Sequence, residues 1–198
     1  MSATSAPFGL RPAFHPSGLD RAQALANGIP SGFNTDIFKG QPVRYQTTAI
    51  GGTIGTITPA TTSGAWSGAF AGVQWTDTTG RARVSNTWPA NTAYTTGSCV
   101  AYFYNDQNIV YEIQADGSMA QTTIGNEYLF TNVTAGSSTT GLSQATLGAS
   151  TAVGNGAQGQ MRVVDLAPYV DNAWGDSYTI VRVVNSASQF FGSVTAIA

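Results

Sequence analysis

The sequence predicts an all-β protein, either a compact β-barrel or a β-sandwich, with an extended N-terminal arm. From residue 36 onward, short segments alternate apolar and polar residues, as strands with one buried face do. Clusters of Gly, Asn, Asp and Ser separate these segments, and no segment keeps a helical period beyond about three turns. A length of 198 residues fits one compact domain. We therefore assign residues 1–35 to the arm and residues 36–198 to the β-rich domain.

Turn chemistry gives the most specific predictions within the β-rich domain. Residues 77–80 have the sequence DTTG between two apolar segments and predict a hairpin. Asp116-Gly117 is a two-residue hairpin signal and predicts a second one. Residues 134–160 are poor in large side chains, which predicts a long Gly/Ser/Thr-rich loop or a flat polar lobe. Further strands are predicted at residues 98–104, 109–115, 127–133, 161–166 and 178–184.

The arm combines helix-breaking residues with large apolar side chains. Because four prolines interrupt it, residues 20–26 are expected to form at most two helical turns. Phe8, Leu10 and Phe14 are too apolar for a solvated tail. We expect them to pack either on the chain's own domain or on a neighbouring subunit, and the sequence leaves both open.

The chain carries very little charge. Charged residues make up 9% of it, against about 25% in typical soluble domains, and Lys39 is the only lysine. A neutral surface that is partly covered by partners accounts for this, because lysine and glutamate are depleted at interface cores. A rigid secreted β-protein with a surface rich in Thr and Ser is the alternative. We expect no direct nucleic-acid partner and no membrane partner, because basic runs and apolar runs of about 18 residues are both absent.

The sequence contains no recognisable catalytic or metal-binding pattern, so we expect no enzyme activity and no cofactor. His15, the only histidine, lies in the proline-rich arm, and one histidine there supports neither a catalytic triad nor a metal site. Cys99, the only cysteine, lies in an apolar segment and is expected to be a buried, inert thiol. Asp77, Asp106 and Asp116 lie in turn signals, where a carboxylate binds the local backbone.

Two further residue types have a structural and a functional interpretation. The four tryptophans are expected in the core or an interface, with stacking on sugars as the alternative. Glu112 alternates with Tyr111 and Ile113 along a predicted strand, so it is expected to face solvent or an interface.

Four sequence blocks are distributed over most of the chain. The first, APFGLRPAFHPSGLDRA, covers residues 6–22. The others are FAGVQWTDTTGRARVSNTWPANTAY at residues 70–94, VYEIQADGSMAQTTIGN at 110–126 and DNAWGDSYT at 171–179. Together they resemble the capsid decoration or cement (head-stabilising) proteins of short-tailed bacteriophages, a family of small virion proteins. Residues 134–160 resemble that family least.

The resemblance implies a structural virion protein that binds the outer surface of the phage capsid and stabilises contacts between major capsid protein subunits. It also implies a homotrimer on the capsid exterior, assembled in the host cytoplasm. A phage head-fibre or receptor- or glycan-binding module is the alternative. A major capsid or scaffold role fits less well because the sequence predicts no long helix. The candidate protein-interface residues are Phe8, Leu10, Arg11, Pro12, Phe14, His15 and Trp88.

Overall fold

The protein is all-β, as the sequence predicts. The computed structural model describes residues 2–18, 22–48 and 50–192. Two large antiparallel sheets and one two-stranded sheet make up the fold, and a single 3-10 turn at Gln121–Thr123 is the one helical element in these ranges. Neither large sheet closes on itself among the described residues, so the arrangement is sandwich-like rather than a barrel.

The strands divide between the sheets as follows. In spatial order, the five-stranded sheet contains β1 (Arg11–Phe14), β8 (Val110–Gln114), β13 (Ile180–Asn185), β12 (Met161–Leu166) and β9 (Glu127–Tyr128). The six-stranded sheet contains β2 (Gln23–Ala26), β7 (Val100–Tyr104), β5 (Gly68–Thr76), β3 (Pro42–Tyr45) and β4 (Ile57–Pro59), with β6 (Ala82–Ser85) also paired to β5. The small sheet contains β10 (Phe130–Thr131) and β11 (Thr146–Leu147).

Buried apolar residues form two clusters on opposite faces of the six-stranded sheet. Ala69 and Phe70 are neighbours on β5 and belong to different clusters, because successive strand residues point to opposite faces. The first cluster joins the two large sheets and contains Trp66 and Tyr111. The second contains Phe70 and Trp88. Trp66 and Trp88 are fully buried, which confirms the core interpretation for these two tryptophans.

The N-terminal arm supplies an edge strand to each large sheet. β1 pairs with β8, and β2 pairs with β7. The arm therefore packs on the chain's own domain, which is the first of the two alternatives left open by the sequence. Gln23–Ala26 forms a strand and no helical turn, which lies within the limit of at most two turns, because pairing with β7 outweighs local helix propensity. The rest of that expectation, at residues 20 and 21, lies outside the described residues.

One of the two predicted hairpins forms. β5 and β6 flank residues 77–80, and Asp77 Oδ1 accepts hydrogen bonds from the backbone N–H groups of Thr79 (2.9 Å) and Arg81 (3.0 Å). The hairpin predicted at Asp116-Gly117 is wrong. Asp116 Oδ1 instead accepts from Ala149 N at 2.7 Å, and this long-range bond directs the turn away from a local strand pair.

The segment at residues 134–160 is a packed lobe in its first half and a loop in its second. β11 lies in this segment, and Ser143 and Leu147 are fully buried. Ser143 N donates to Lys39 O at 2.9 Å, which ties the lobe to the loop before β3. Residues 154–158 are exposed. The lobe therefore contributes a wall to the surface next to the arm.

Candidate functional site

Two glycines allow the arm to cross the loop before β3. Leu10 N donates to Gly40 O at 2.7 Å, and Gly9 and Gly40 adopt φ values of +71° and +79°. A Cβ added to Gly9 would lie 2.5 Å from Gly40 O, and one added to Gly40 would lie 2.9 Å from the carbonyl oxygen of Phe8. The arm thus lies backbone against backbone on the domain, which only glycine permits at these positions.

A buried carboxylate fixes β1 to the five-stranded sheet. Glu112 is 5% exposed and lies between Arg11 of β1 and Arg182 of β13 in the strand register. Its Oε2 accepts from Arg11 Nη2 at 2.8 Å, and its Oε1 lies 3.6 Å from Arg182 Nε. Asp165 of β12 continues the row opposite Arg182. Charges therefore alternate in sign across four strands, and opposite charges on neighbouring strands favour this register.

Tyr169 covers Glu112 and connects it to the arm. Arg11 Nη2 donates to the phenolic oxygen, and the phenol donates to Glu112 Oε2. The Arg11 guanidinium carbon lies 4.8 Å from the centroid of the Phe8 ring and 5.4 Å from that of Tyr169. Burial, and then Glu112, raises the pKa of Tyr169, so the phenol keeps its proton. Glu112 and Tyr111 point to opposite faces of the sheet, as the alternation predicts. The side chain of Glu112 is nevertheless buried, because Tyr169 covers it.

The residues that precede Gly9 are also held in place. Gln114, at the end of β8, accepts a hydrogen bond from Ala6 N at 2.8 Å through Oε1. Tyr178 N donates to Ser2 O at 2.7 Å. The start of the described chain is therefore fixed on the five-stranded sheet.

A cleft opens beside the arm, and we call it the arm cleft. It has a volume of about 340 Å³ and mainly apolar walls. Its two charged lining residues differ, because Arg11 is paired with Glu112 whereas Lys39 is exposed and forms no ion pair within the described ranges. Such a cleft suits an apolar group that lies next to a carboxylate. The lining residues are Phe8, Leu10, Arg11, Pro12, Lys39, Gly40, Phe70, Tyr104 and Leu142.

The structure brings four of the predicted interface residues together at this cleft, namely Phe8, Leu10, Arg11 and Pro12. Phe14 follows on β1, opposite Val110, with 55% of its surface exposed. We define the arm surface as the arm cleft together with the exposed side chain of Phe14. It combines a large exposed ring, an apolar recess and a cation.

Three predicted interface residues have structural roles within the chain. Leu10 and Trp88 are 2% and 0% exposed, so both are core residues, and Leu10 also lines the arm cleft. His15 Nε2 lies 3.1 Å from Asp106 Oδ2, and its Nδ1 accepts from Ser17 N at 3.1 Å. His15 thus links the end of β1 to the turn between β7 and β8.

The arm surface also contains residues that sequence reasoning missed. Lys39, Tyr104 and Leu142 come from three distant segments and meet only in the fold. Lys39 carried a usable signal because it is the only lysine of the chain. Nothing in the local sequence marks Tyr169 as the cover of Glu112, because that contact joins residues 57 positions apart.

Other expected features can be located as well. Cys99 is fully buried, and burial raises the pKa of its thiol, as expected for an inert cysteine. Among residues 2–18, 22–48 and 50–192, no group of three or more His, Cys, Asp or Glu side chains is placed to hold a metal ion. The same part of the chain has no helix with the length and apolarity needed to cross a bilayer.

Comparison of the chain with known proteins gives no match to a protein-family model, to a curated protein or to a solved structure. The arm surface is therefore interpreted from its own residues.

Proposed function

We propose that this chain is a structural virion protein that binds the outer surface of a bacteriophage capsid and stabilises contacts between major capsid protein subunits. The arm surface carries the proposal: Phe14 is exposed two residues after the cleft residue Pro12 on β1, and the apolar cleft contains Lys39, a cation without an ion pair among the described residues. The sequence blocks that resemble decoration proteins of short-tailed phages include this segment. A content of 9% charged residues also supports a surface that is partly buried against partner proteins in the assembled particle.

The fixed arm is suited to adding contact area between capsid subunits. Apolar burial contributes about 25 cal/mol per Å², less the cost of ordering the groups involved. Because the arm is already ordered on both sheets, that ordering cost is small. Many copies on one closed shell then multiply a modest contact. In this role the chain needs no cofactor and no catalytic group.

The arm cleft sets the chemistry of the capsid contact. Its apolar walls accept an aliphatic or aromatic side chain, and Lys39 favours a partner carboxylate next to that side chain. We therefore place an apolar residue flanked by Asp or Glu on the major capsid protein opposite this cleft. A cation in a partly desolvated contact contributes mainly to specificity and to the association rate.

Heads from a phage whose copy of this gene has been deleted provide the binding test. Wild-type protein should co-sediment with them, and Phe14→Ser and Lys39→Gln should each weaken binding by about tenfold, or about 1.4 kcal/mol. Val84→Ser is the matched control, because Val84 is 82% exposed on β6, which pairs with β5 and with neither strand of the arm. Unchanged binding by both arm variants, or no binding by the wild type, would overturn the proposal.

The proposal includes self-association into a homotrimer, which would present three arm surfaces in one particle. Light scattering coupled to size exclusion, before and after release of the protein from heads, measures this directly. A mass of three 20.5 kDa chains is the expected result in the released sample. A released sample that is wholly monomeric or dimeric would remove the trimer from the proposal and leave the arm contact to be judged by the binding test.

The alternative, a head-fibre or receptor-binding module, loses part of its sequence basis. Trp66 and Trp88 are fully buried, and Trp75 and Trp174 are half-buried against the two clusters. Sugar stacking by a tryptophan platform is therefore not favoured. Phe190 and Phe191 are exposed aromatic residues, and they line a groove that is distinct from the arm cleft.

A further inference from the structure

A second groove lies where the turn between β7 and β8 meets the segment that follows β13, and we call it the amide groove. Its volume is about 650 Å³, within the range of small-ligand sites. It differs from the arm cleft because polar neutral side chains make up much of its lining. The residues that matter are the aromatic Tyr45, Phe190 and Phe191 and the carboxamides Gln23, Asn105 and Gln107.

The exposed ring of Phe190 is held in position. It is 62% exposed, yet it packs edge-on against Tyr45 at 5.0 Å, and Tyr45 packs in the same way on the buried Phe103 at 5.5 Å. Gln189 clamps the neighbouring backbone: its Oε1 accepts from Tyr45 N at 2.7 Å and its Nε2 donates to Tyr45 O at 3.1 Å. A fixed, solvent-facing ring gives a ligand an apolar face to stack on with little ordering cost.

The polar lining supplies neutral donors and acceptors. Each carboxamide carries both, which matches the paired donor and acceptor character of a hydroxyl group. Asn105 Nδ2 donates to Gln23, whereas Gln107 makes no side-chain hydrogen bond within the described residues. Asp106 is the one charged lining residue, and its Oδ2 lies 3.1 Å from His15 Nε2. The groove thus presents one carboxylate among neutral polar side chains.

We propose that the amide groove binds a neutral saccharide of one or two rings. A sugar ring has apolar C–H faces and a rim of hydroxyls, so it would stack on Phe190 and exchange hydrogen bonds with Gln107 and its neighbours. This site goes beyond capsid binding and does not depend on it. It would let a particle that displays the protein adhere weakly, through many copies, to glycan-bearing surfaces.

Saturation-transfer NMR with maltose, lactose, cellobiose and N-acetylglucosamine tests the site. At least one of these sugars should bind saturably below about 10 mM, and Phe190→Ser and Gln107→Ala should each weaken binding by about tenfold. Phe14→Ser is the matched control, because Phe14 is 55% exposed on the arm and should leave sugar binding unchanged.

Three outcomes would overturn the site. The first is no binding of any neutral sugar by the wild type, and the second is unchanged binding in both groove variants. The third is a loss of head binding in Phe190→Ser without any sugar binding, which would make the groove a capsid contact. A failure of the saccharide proposal would not affect the capsid proposal, because the capsid proposal is tested separately by the binding of Phe14→Ser to phage heads.

Discussion

The two ends of the chain each present an exposed phenylalanine, but different chemistry anchors them. Phe14 lies on a strand clamped by the buried carboxylate of Glu112 between two arginines. Phe190 follows Gln189, whose neutral carboxamide binds the backbone of Tyr45. The ionic anchor adds charge next to the arm surface, whereas the amide anchor adds none to the second groove. The anchoring chemistry therefore matches the partner that we propose for each region.

The same contrast runs through the two large sheets. Strands of the six-stranded sheet carry two charged residues, Arg44 and Arg83. Strands of the five-stranded sheet carry Arg11, Glu112, Glu127, Arg162, Asp165 and Arg182. In a chain with only 9% charged residues, this concentration indicates that charge is used to set strand register and to hold the arm.

Lifting the arm at its crossing point should have the largest effect. Gly9→Ala adds left-handed backbone strain of about 1–2 kcal/mol and a clash with Gly40 O, so we expect the free energy of unfolding to fall by about 3 kcal/mol in urea titrations. Gly18→Ala is the control, because Gly18 has φ +73° but no atom of the described residues, apart from Gly18 itself and its chain neighbours, lies within 4 Å of an added Cβ. Equal losses in the two variants would contradict a tight arm crossing.

Removing the ionic anchor should cost somewhat less. Glu112→Gln leaves Arg11 and Arg182 without their counterion, and we expect a loss of about 2 kcal/mol, below the usual cost of breaking a buried pair because Arg11 is half-exposed. Asp165→Asn, at the exposed end of the same charge row, should stay within about 0.5 kcal/mol. The account would be wrong if urea unfolding ranked these two variants equally.

The neutral anchor should be weaker still. Gln189→Ala removes two hydrogen bonds to the Tyr45 backbone, so we expect a loss of about 1 kcal/mol and faster amide exchange at Tyr45. Gln107→Ala should change neither quantity. Slower or unchanged exchange at Tyr45 in Gln189→Ala would show that Phe190 is held by something other than this clamp.

The smallest effect is expected where the two regions meet. The N–H of Asn108, and then His15, lowers the pKa of Asp106. Because the folded-state pKa is the lower one, this carboxylate stabilises the fold above the ordinary carboxyl range near pH 4 and loses that contribution as the pH falls through it. Asp106→Asn should therefore flatten the fall of the unfolding midpoint in acid. A fall as steep as that of the wild type would contradict this assignment.

The sequence predicts the fold class because alternation and turn residues are local signals. The hairpin at residues 77–80 forms because Asp77 accepts hydrogen bonds from the backbone of its own turn. Asp116 instead accepts a hydrogen bond from the distant Ala149, and a local sequence pattern cannot predict that contact. β2 has helix-favouring residues and becomes a strand only through its partner β7. The apolar composition of the arm is sufficient to predict Phe8 and Phe14 as candidate interface residues. The position of Lys39 at the arm cleft and the contact of Gln189 with Tyr45 arise only in the fold, so local patterns do not predict them.

Electron cryomicroscopy of gene-deleted heads, saturated with the purified protein, tests the capsid proposal most directly. The account predicts added density on the outer surface at positions between major capsid protein subunits, with β1 and the arm cleft facing the shell and Phe190 facing solvent. Density inside the head or at the tail, or an arm that points away from the shell, would contradict it.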